Sequence, residues 1–318
     1  MVYLLQKTLI YAAPLLIVAL GGMFAERSGV INLALEGEMI FGAFCGAILA
    51  RAMVLSGVLA NDMQLLFLIA LLFSAICGGL FSLLLSFSAI NMKADQTIGG
   101  TALNMLAAAV VNAFALALFN SEKIQMPANF AGYVVLNDGL PAIVQVFGDK
   151  AYLSTYLIVV VFIMLSIWIY KTKTGMRLRS CGEHPQAAAS VGINVFKMRY
   201  LGTTISGCLA GIGGYAYIAT VANGTAESSV GGMGFLALAI MIFGNWKPVG
   251  IALGALLFGF LKCIGPVSSS MEFLKNLGLP MYFYNIIPYV VVLVVLALTA
   301  KKSGCPKAEG IPYDKGMR

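Results

Sequence analysis

Long apolar runs separated by short polar segments extend along almost the whole chain. An α-helix needs about 20 apolar residues to cross a bilayer, and a backbone exposed to lipid must satisfy its hydrogen bonds internally. The pattern therefore predicts membrane-spanning helices at 4–24, 38–55, 65–90, 99–119, 152–170, 200–222, 234–244, 249–265 and 284–300. The run at 234–244 is too short to cross upright, which indicates a discontinuous or tilted element. We expect an all-α polytopic membrane protein with about nine (about eight to ten) transmembrane helices, in one transmembrane domain over 1–318.

The composition agrees with a membrane protein and argues against a nucleic-acid-binding one. Hydrophobic residues make up 60% of the chain and charged residues 10%, whereas soluble domains carry roughly 25% charged residues. The net charge of +7 comes largely from basic residues clustered in 171–199 and 301–318. Basic clusters of this kind are typical of cytoplasmic loops and tails. The membrane therefore explains the positive charge, and no nucleic acid partner is expected.

The two basic clusters also set the predicted orientation. With both clusters in the cytoplasm, alternation of the spans places three loops outside, at 121–151, 223–233 and 266–283. Glu227 is then expected to be solvated on the outside. Residues 26–37 fall in the cytoplasmic half and the N-terminus outside.

Two stretches of the sequence resemble each other when one residue is gapped, NLALEGEMIFG at 32–42 and FLALAIMIFG at 235–244. The predicted topology puts the first just inside the cytoplasmic face and the second just inside the outer face. Inverted repeats with broken helices produce such a pattern. The alternative is a chance match, which is common among apolar sequences.

Small residues recur four positions apart in the predicted span at 200–222. One row is Gly202, Ser206, Ala210 and Gly214, and a second is Gly207 and Gly211. Such rows allow helix backbones to approach one another closely. We therefore expect this span to lie in the packed interior of the bundle.

Three polar segments lie in or beside the predicted spans, at 25–42, 93–104 and 222–234. Polar residues at membrane depth are costly and usually face a cavity or a partner group. One interpretation is a solute pathway lined by amide, hydroxyl and carboxyl groups, with the candidates Asn32, Glu36, Gln96, Thr101 and Asn104. The other is that each segment is a solvated loop at a membrane face. The residues alone leave both interpretations open.

Glu26 and Arg27 are predicted to belong to an interfacial loop in which their charges pair locally. Glu38 receives no predicted role.

Several kinds of chemistry lack their sequence signature. The six cysteines form no CxxC pair and no cluster with His184, the single histidine, so no metal site is expected. The sequence has neither a GxxxxGK[ST] phosphate-binding loop nor an HExxH motif. We therefore expect no bound cofactor and no enzymatic activity in this chain.

The basic loop at 171–199 has a distinctive core, GEHPQAAASVGINV. Pro185 suits the first turn of a helix and Gly192 its end, which predicts a short helix over 186–191. A short helix that presents small side chains on a basic loop is suited to bind in a groove of another protein. It is equally compatible with a loop that binds anionic lipid headgroups.

This loop resembles the EAA-type coupling loop of ABC importer permeases. Six segments in the same order resemble the branched-chain amino acid, ribose and nucleoside type of permease, and within it the nucleoside permeases: ERSGVINLALEG, DQTIGGTALNML, TGMRLRSCGEHPQAAASVGINVFKMRYL, SGCLAGIGG, GMGFLALAIMIFGNWKPVG and IIPYVVVLVVLAL. The resemblance covers nearly the whole chain. The family pattern often has a second methionine where this chain has Glu38.

The resemblance implies a type II ABC importer-like permease in the cell membrane of a bacterium. Two permease subunits, commonly two related chains, would form the pathway for a small-molecule solute. A separate ATPase would bind and hydrolyse ATP, and an extracytoplasmic substrate-binding lipoprotein would deliver the solute. Matching motif positions place the ATPase contact in 182–195, with the candidates Gly182, Glu183, Pro185, Ala187, Ala188, Gly192 and Ile193. The segment 25–42 would begin a discontinuous second span that lines or gates the pathway on the cytoplasmic side.

Three functions compete at this point. An ABC permease for nucleosides is favoured, because the hydroxyl- and amide-bearing candidates suit a sugar and a base. The same type of ABC permease could instead carry a simple sugar or a branched-chain amino acid. An ion-coupled secondary transporter would need a buried ionisable residue with a clear partner, and Glu36 and Glu38 lack an obvious cation in the sequence.

Overall fold

The computed structural model describes residues 2–57, 62–126, 133–134, 151–268, 280–299 and 304–316. These residues are mostly helical. The helices are α1 (Val2–Arg27), α2 (Leu35–Leu55), α3 (Met63–Ser86), α4 (Gln96–Phe119), α5 (Leu153–Lys171), α6 (Lys173–Glu183), α7 (Pro185–Ser190), α8 (Val195–Thr220), α9 (Met233–Phe243), α10 (Pro248–Val267) and α11 (Met281–Thr299). A π-helical turn at Phe87–Asn91 extends α3. The predicted loop segments 135–150 and 269–279 and the tail residues 301–303 and 317–318 lie outside the described residues.

Six helices among the described residues are long and apolar enough to cross a membrane: α1, α2, α3 with its π-helical extension, α4, α5 and α10. Helix α9 and the apolar part of α11 are shorter. Helix α8 is 26 residues long but is not one of the six. The structure therefore supports a helical membrane protein, and the predicted number of spans stays a prediction.

Helices α1 and α8 form the centre of the bundle. Nearly all of α1 is buried, and α8 packs against α1, α2 and α3. The small residues of α8 allow this, because a side chain on Gly214 would collide with the Met39 backbone and one on Gly211 with the Ser74 carbonyl. Ser74 adds a 2.7 Å hydrogen bond to the Gly211 carbonyl. The predicted packing role of the two small-residue rows is confirmed.

Two pairs of short strands join loops at the edges of the bundle. Strand β1 (Ile124–Gln125) pairs antiparallel with β4 (Thr225–Ala226), and β2 (Tyr133–Val134) with β3 (Ala151–Tyr152). The β1–β4 pair joins the loop after α4 to the loop after α8. These two loops were predicted to lie at the same face of the membrane, and the pairing agrees.

Helices α6 and α7 and the tail segment 304–316 form a layer that we call the α6–α7 face. The amide of Ala308 donates to the Gly182 carbonyl, and the side chain of Arg199 donates to the Ile311 carbonyl, each at 2.9 Å. Tyr313 packs its ring edge-on against Phe196. The two basic segments of the sequence therefore lie at one face, as predicted from their charge.

Candidate functional site: the junction of two broken helices

Two non-helical segments interrupt the bundle, and the helices that follow them begin beside each other. The first segment, 28–34, separates α1 from α2, and the second, 221–232, separates α8 from α9. Glu36, in the first turn of α2, accepts hydrogen bonds from the amides of Gly232 at 2.9 Å and Gly234 at 2.6 Å. Because the first amides of a helix have no partner within it, this carboxylate caps the start of α9.

Gly234 is required for the approach of the two helices. A Cβ at this position would lie 2.5 Å from the backbone nitrogen and the Cα of Glu36. The two segments with similar sequences thus begin in contact with each other inside the protein. Their predicted placement at opposite faces of the membrane is wrong, because hydropathy locates a span but does not locate a break within it.

A second carboxylate, Glu38, lies two residues further along α2 and is fully buried. The side-chain amide of Asn32 donates to both Glu38 oxygens at 3.2 and 3.0 Å and to the Ser206 hydroxyl at 2.8 Å. The Asn32 oxygen accepts the amide of Ala34 at 3.0 Å. This network ties the first break to α8. The sequence reasoning missed the part played by Glu38 and Ser206, although a carboxylate at membrane depth is itself a signal.

Gln96 and Asn104, both on α4, hold the backbone of the first break. Asn104 accepts the Gly37 amide at 2.7 Å and donates to the Leu33 carbonyl at 2.8 Å. Gln96 accepts the Ile31 amide at 2.7 Å. Since buried backbone groups need partners, these two side chains replace the hydrogen bonds that a continuous helix would supply.

Thr101 lies apart from this group. Its side chain is exposed, and its hydroxyl donates to the carbonyls of Thr97 and Ile98 within its own helix. The structure therefore brings together Asn32, Glu36, Gln96 and Asn104 around the breaks but not Thr101.

Glu26 and Arg27 end α1 and do not form a locally paired loop. Glu26 is 4% exposed and accepts the indole N–H of Trp246 at 2.5 Å. Arg27 donates to the Trp246 carbonyl at 3.0 Å and faces Glu183 at 3.5 Å. The prediction of local pairing is wrong, because both side chains contact residues that are distant in the sequence. They connect α1 to the turn between α9 and α10 and to the end of α6.

Four of the predicted coupling residues, Glu183, Ala187, Ala188 and Ile193, line a groove on the α6–α7 face. Its volume is about 330 Å³, and it is lined by Met176, Arg177, Ser180, Glu183, His184, Ala187, Ala188, Val191 and Ile193. Gly182 and Pro185 are buried and do not line it. The predicted short helix is confirmed as α7, and Gly192 follows it with φ +82°, a conformation that favours glycine.

The tail segment 304–316 makes polar contacts with several other parts of the protein. The amide of Gly304 donates to the side chain of Asn245, Lys93 pairs with Asp314 at 2.6 Å, and the carboxyls of Glu309 and Glu26 lie in hydrogen-bonding contact. Burial raises the pKa of the Glu309 carboxyl, and the Lys93 ammonium lowers that of Asp314. The sequence predicted the side on which the tail lies but not these contacts.

A lysine in the last third of α10, one of the helices long enough to cross a membrane, contacts the second break. Lys262 of α10 donates to the Tyr289 hydroxyl at 3.0 Å and approaches the Gly231 carbonyl at 3.4 Å. Tyr289 of α11 donates to the same carbonyl at 3.2 Å. This group was also missed, although a single basic residue in the apolar run 249–265 could have indicated it.

Broken helices that meet inside a helical membrane bundle are typical of transport proteins. The sequence agrees, because residues 4–296 match the family described as the branched-chain amino acid transport system permease component. The chain belongs to this family, and the predicted family resemblance is confirmed. It is a permease component, a non-enzymatic membrane subunit of an ABC transport system that has other subunits.

Individual relatives extend the comparison. The guanosine ABC transporter permease protein NupQ of Bacillus subtilis (strain 168) is 37% identical over 99% of this chain and 97% of its own length. The nucleoside ABC transporter permease protein NupC of Lactococcus lactis subsp. cremoris (strain MG1363) is 37% identical over 98% and 96%. The putative glucose ABC transporter permease protein TsgC13 of Haloferax volcanii (strain ATCC 29605 and its equivalents) is 28% identical over 87% and 81%. A solved putative metal-chelate type ABC transporter, in an inward-facing conformation, overlays with TM-score 0.49 at 16% identity, over 94% of this chain and 85% of that chain.

Proposed function

We propose that this chain is the permease subunit of an ATP-driven importer that carries nucleosides into a bacterial cell. The observation that carries the proposal is the near full-length similarity, at 37% identity, to two permeases named for guanosine and for nucleosides. A simple sugar is the second candidate solute, because a putative glucose permease is a more distant relative. An ion-coupled carrier is not favoured, since the family is that of ABC permease components.

The proposed architecture has nine spans in the plasma membrane, the six long apolar helices together with α8, α9 and α11. Helix α9 has 11 residues and is therefore about 17 Å long, roughly half of the ~30 Å hydrocarbon core. The non-helical segment 221–232 would complete its crossing. This arrangement is that of a type II importer-like permease, in one domain over 1–318 with the α6–α7 face in the cytoplasm.

The groove on the α6–α7 face is the proposed docking site for the ATPase subunit. Val191 is 75% exposed at its edge, and apolar side chains presented around a concave surface are typical of protein contacts. Residues Gly182, Glu183, Pro185, Ala187, Ala188, Gly192 and Ile193 would form or support this contact. ATP would bind to that partner, and this chain would hold no cofactor.

The broken-helix junction is the proposed pathway element that responds to the ATPase. Arg27 links the end of α1 to Glu183 beside the groove, and the first break follows Arg27 directly. A movement of α6 and α7 would therefore reach 28–34, where Asn32, Gln96 and Asn104 hold the backbone. Thr101 would contribute only from the exposed side of α4. A second related permease and a substrate-binding lipoprotein would complete the importer.

The solute class is tested by uptake of radiolabelled uridine, adenosine and guanosine. Cells with the full transporter are compared with a matched strain that lacks only this chain, with excess ribose or leucine as competitor. We expect nucleoside uptake to fall in the deletion strain and to depend on ATP but not on either competitor. Unchanged nucleoside uptake, with loss of sugar uptake instead, would replace the nucleoside by the second candidate.

The docking site is tested by charge placed in the groove. Ala187→Glu puts a carboxylate on the lining, whereas the neighbouring Gln186→Glu puts the same group outside it. Gly192→Pro is a second disruptive change, because proline cannot adopt φ +82°. We expect Ala187→Glu and Gly192→Pro to abolish uptake and co-purification of the ATPase while membrane insertion persists. Normal uptake in both would remove the docking assignment.

A further inference from the structure

The polar side chains of the first break are occupied within the protein. Asn32, Glu36 and Asn104 each hydrogen bond with two or more groups of neighbouring segments. Asn32 and Glu36 are also buried, and Asn104 is partly buried, so a passing solute has little access to them while these bonds are in place. These three residues therefore shape the junction, and the groups that contact solute are to be sought elsewhere at the same depth.

The second break offers polar groups that are accessible. Gly231 is exposed with φ +65°, Tyr289 is 41% exposed, and Lys262 is partly exposed. Lys262 lies about four turns into α10, one of the helices long enough to span the membrane. The group is thus within the span and beside the start of α9.

Lys262 keeps hydrogen-bonding capacity in this position. An ammonium group has three donors, and the described acceptors of Lys262 are the Tyr289 hydroxyl and the Gly231 carbonyl. Its nitrogen also lies 4.9 Å from the centre of the Tyr289 ring. The three ion pairs found among the described residues do not include Lys262. The Glu36 carboxylate interacts electrostatically with Lys262, although the two do not form one of these ion pairs. A positive charge without a contacting carboxylate among the described residues is costly in a membrane span and indicates a functional role.

We propose that Lys262 and Tyr289 form a solute-contacting pair that sets specificity at the second break. The Lys262 ammonium donates a hydrogen bond to a carbonyl or hydroxyl oxygen of a neutral solute. Tyr289 holds the ammonium over the Gly231 carbonyl and supplies a ring for the solute to lie against. The same positive charge repels solutes that carry a protonated amine. The proposal rests on the chain being a solute permease and deepens that function by naming a charge filter.

The filter is tested in proteoliposomes with the complete transporter and its binding lipoprotein. The probes are uridine and 5′-amino-5′-deoxyuridine, whose amine is protonated, each first titrated against the binding lipoprotein alone. The rate of each is measured at a concentration that saturates the lipoprotein. We expect Lys262→Met to slow uridine transport about tenfold, the scale of one lost hydrogen bond to a charged group, and to raise the rate of the amine relative to uridine. Lys262→Arg should restore the preference for the neutral solute.

Tyr289→Phe provides a milder variant, since it removes one hydroxyl and keeps the ring. Its matched control is Tyr282→Phe, on the same helix and 79% exposed. We expect a changed amine-to-uridine ratio only at position 289. An unchanged ratio in Lys262→Met and Tyr289→Phe, with uridine transport intact, would overturn the charge filter.

The two proposals fail in different ways. A wild-type transporter that does not carry uridine rejects the nucleoside assignment, and the same comparison is then made with glucose and glucosamine. Discrimination against the protonated amine supports the filter with either pair of solutes. Equal rates for neutral and protonated solutes in the wild type reject it.

Discussion

Glu36 and Gly234 are 198 positions apart in the chain, and the Gly234 amide donates to the Glu36 carboxylate at 2.6 Å. The bond joins the first turn of α2 to the first turn of α9. One acidic side chain thereby satisfies the start of the second broken helix while its own backbone lies against Gly234. The two breaks form one junction, so that a shift of either helix start disturbs the other.

Glu36→Gln is expected to weaken this junction. The change removes the negative charge and leaves one acceptor oxygen for two amides, and a hydrogen bond to a charged group contributes about 1.5 to 3 kcal/mol. We expect a lower thermal midpoint for the purified complex and a loss of uptake. Glu227→Gln is the matched control, because Glu227 pairs at the surface with Lys123 and such pairs contribute about 0 to 1 kcal/mol. Equal effects of the two changes would contradict the role of Glu36.

Asn104→Ala and Thr101→Val separate the residues of α4. Asn104 satisfies the Leu33 carbonyl of the first break and the Gly37 amide of α2, and leaving a buried group unpaired costs about 1 to 3 kcal/mol. Thr101 bonds only with its own helix, so its change should alter stability by less than about 0.5 kcal/mol. Thermal unfolding and uptake of both variants test this. If Thr101→Val lowered stability or uptake as much as Asn104→Ala, the hydrogen bonds of Asn104 would not explain the importance of α4, and its exposed face would.

The docking of the tail is expected to depend on pH through Glu309. Burial raises the pKa of this carboxyl above its ordinary value of 4.5, with the carboxyl of Glu26 and the thiol of Cys305 beside it. A raised pKa means that docking favours the protonated form. Docking is therefore complete below the ordinary pKa and weakens as the pH rises through the raised one.

Tryptic cleavage at Lys307, an exposed residue of the tail, measures this docking. Cleavage should increase with pH more steeply in the wild type than in Glu309→Gln, whose side chain stays neutral. The Asp314 carboxyl acts in the opposite sense, since its pKa is lowered by Lys93 and its contribution is lost only in strong acid. Identical pH profiles for the wild type and Glu309→Gln would contradict the expectation.

Tyr313→Ala is expected to loosen the α6–α7 face. The ring of Tyr313 is buried in a cluster with Cys181, Ala188 and Val195, and truncating a buried aromatic residue costs about 3 to 5 kcal/mol. We expect weaker co-purification of the ATPase and less uptake. Ile311→Ala is the control, since its side chain is 57% exposed and its carbonyl, which accepts from Arg199, is unchanged. Normal co-purification of the ATPase with the Tyr313→Ala variant would show that packing of the tail is not needed for binding of the ATPase.

Local elements of this protein could be predicted from the sequence, and long-range partners could not. Apolar length located most helices, and Pro185 and Gly192 gave the bounds of α7 because they act on their own backbone. The hydropathy of the sequence does not reveal that Glu36 caps α9, because a carboxylate near a predicted loop is equally compatible with exposure to solvent. The same holds for Glu26, whose partner Trp246 lies 220 positions away.

The sequence marked four residues that the structure brings together around the breaks, and their role in a solute pathway stays a prediction. Polar residue types within spans correctly marked Asn32, Glu36, Gln96 and Asn104 as unusual, because such groups need partners. Thr101 has the same residue chemistry but bonds with its own helix, and only the direction of its side chain separates it from the others. Lys262 was overlooked because one lysine hardly lowers the mean hydropathy of the run around it.

The tail segment completes the α6–α7 face only after the other described segments have been made. Chains are made from the N-terminus onward, so residues 304–316 are produced after every other described segment. Until then Arg199 has no carbonyl of Ile311 to bind, Lys93 has no Asp314, and the Gly182 carbonyl lacks the amide of Ala308. A nascent or prematurely terminated chain would thus present an unfinished α6–α7 face. The tail segment would in this way decide when a permease is ready to join its partners.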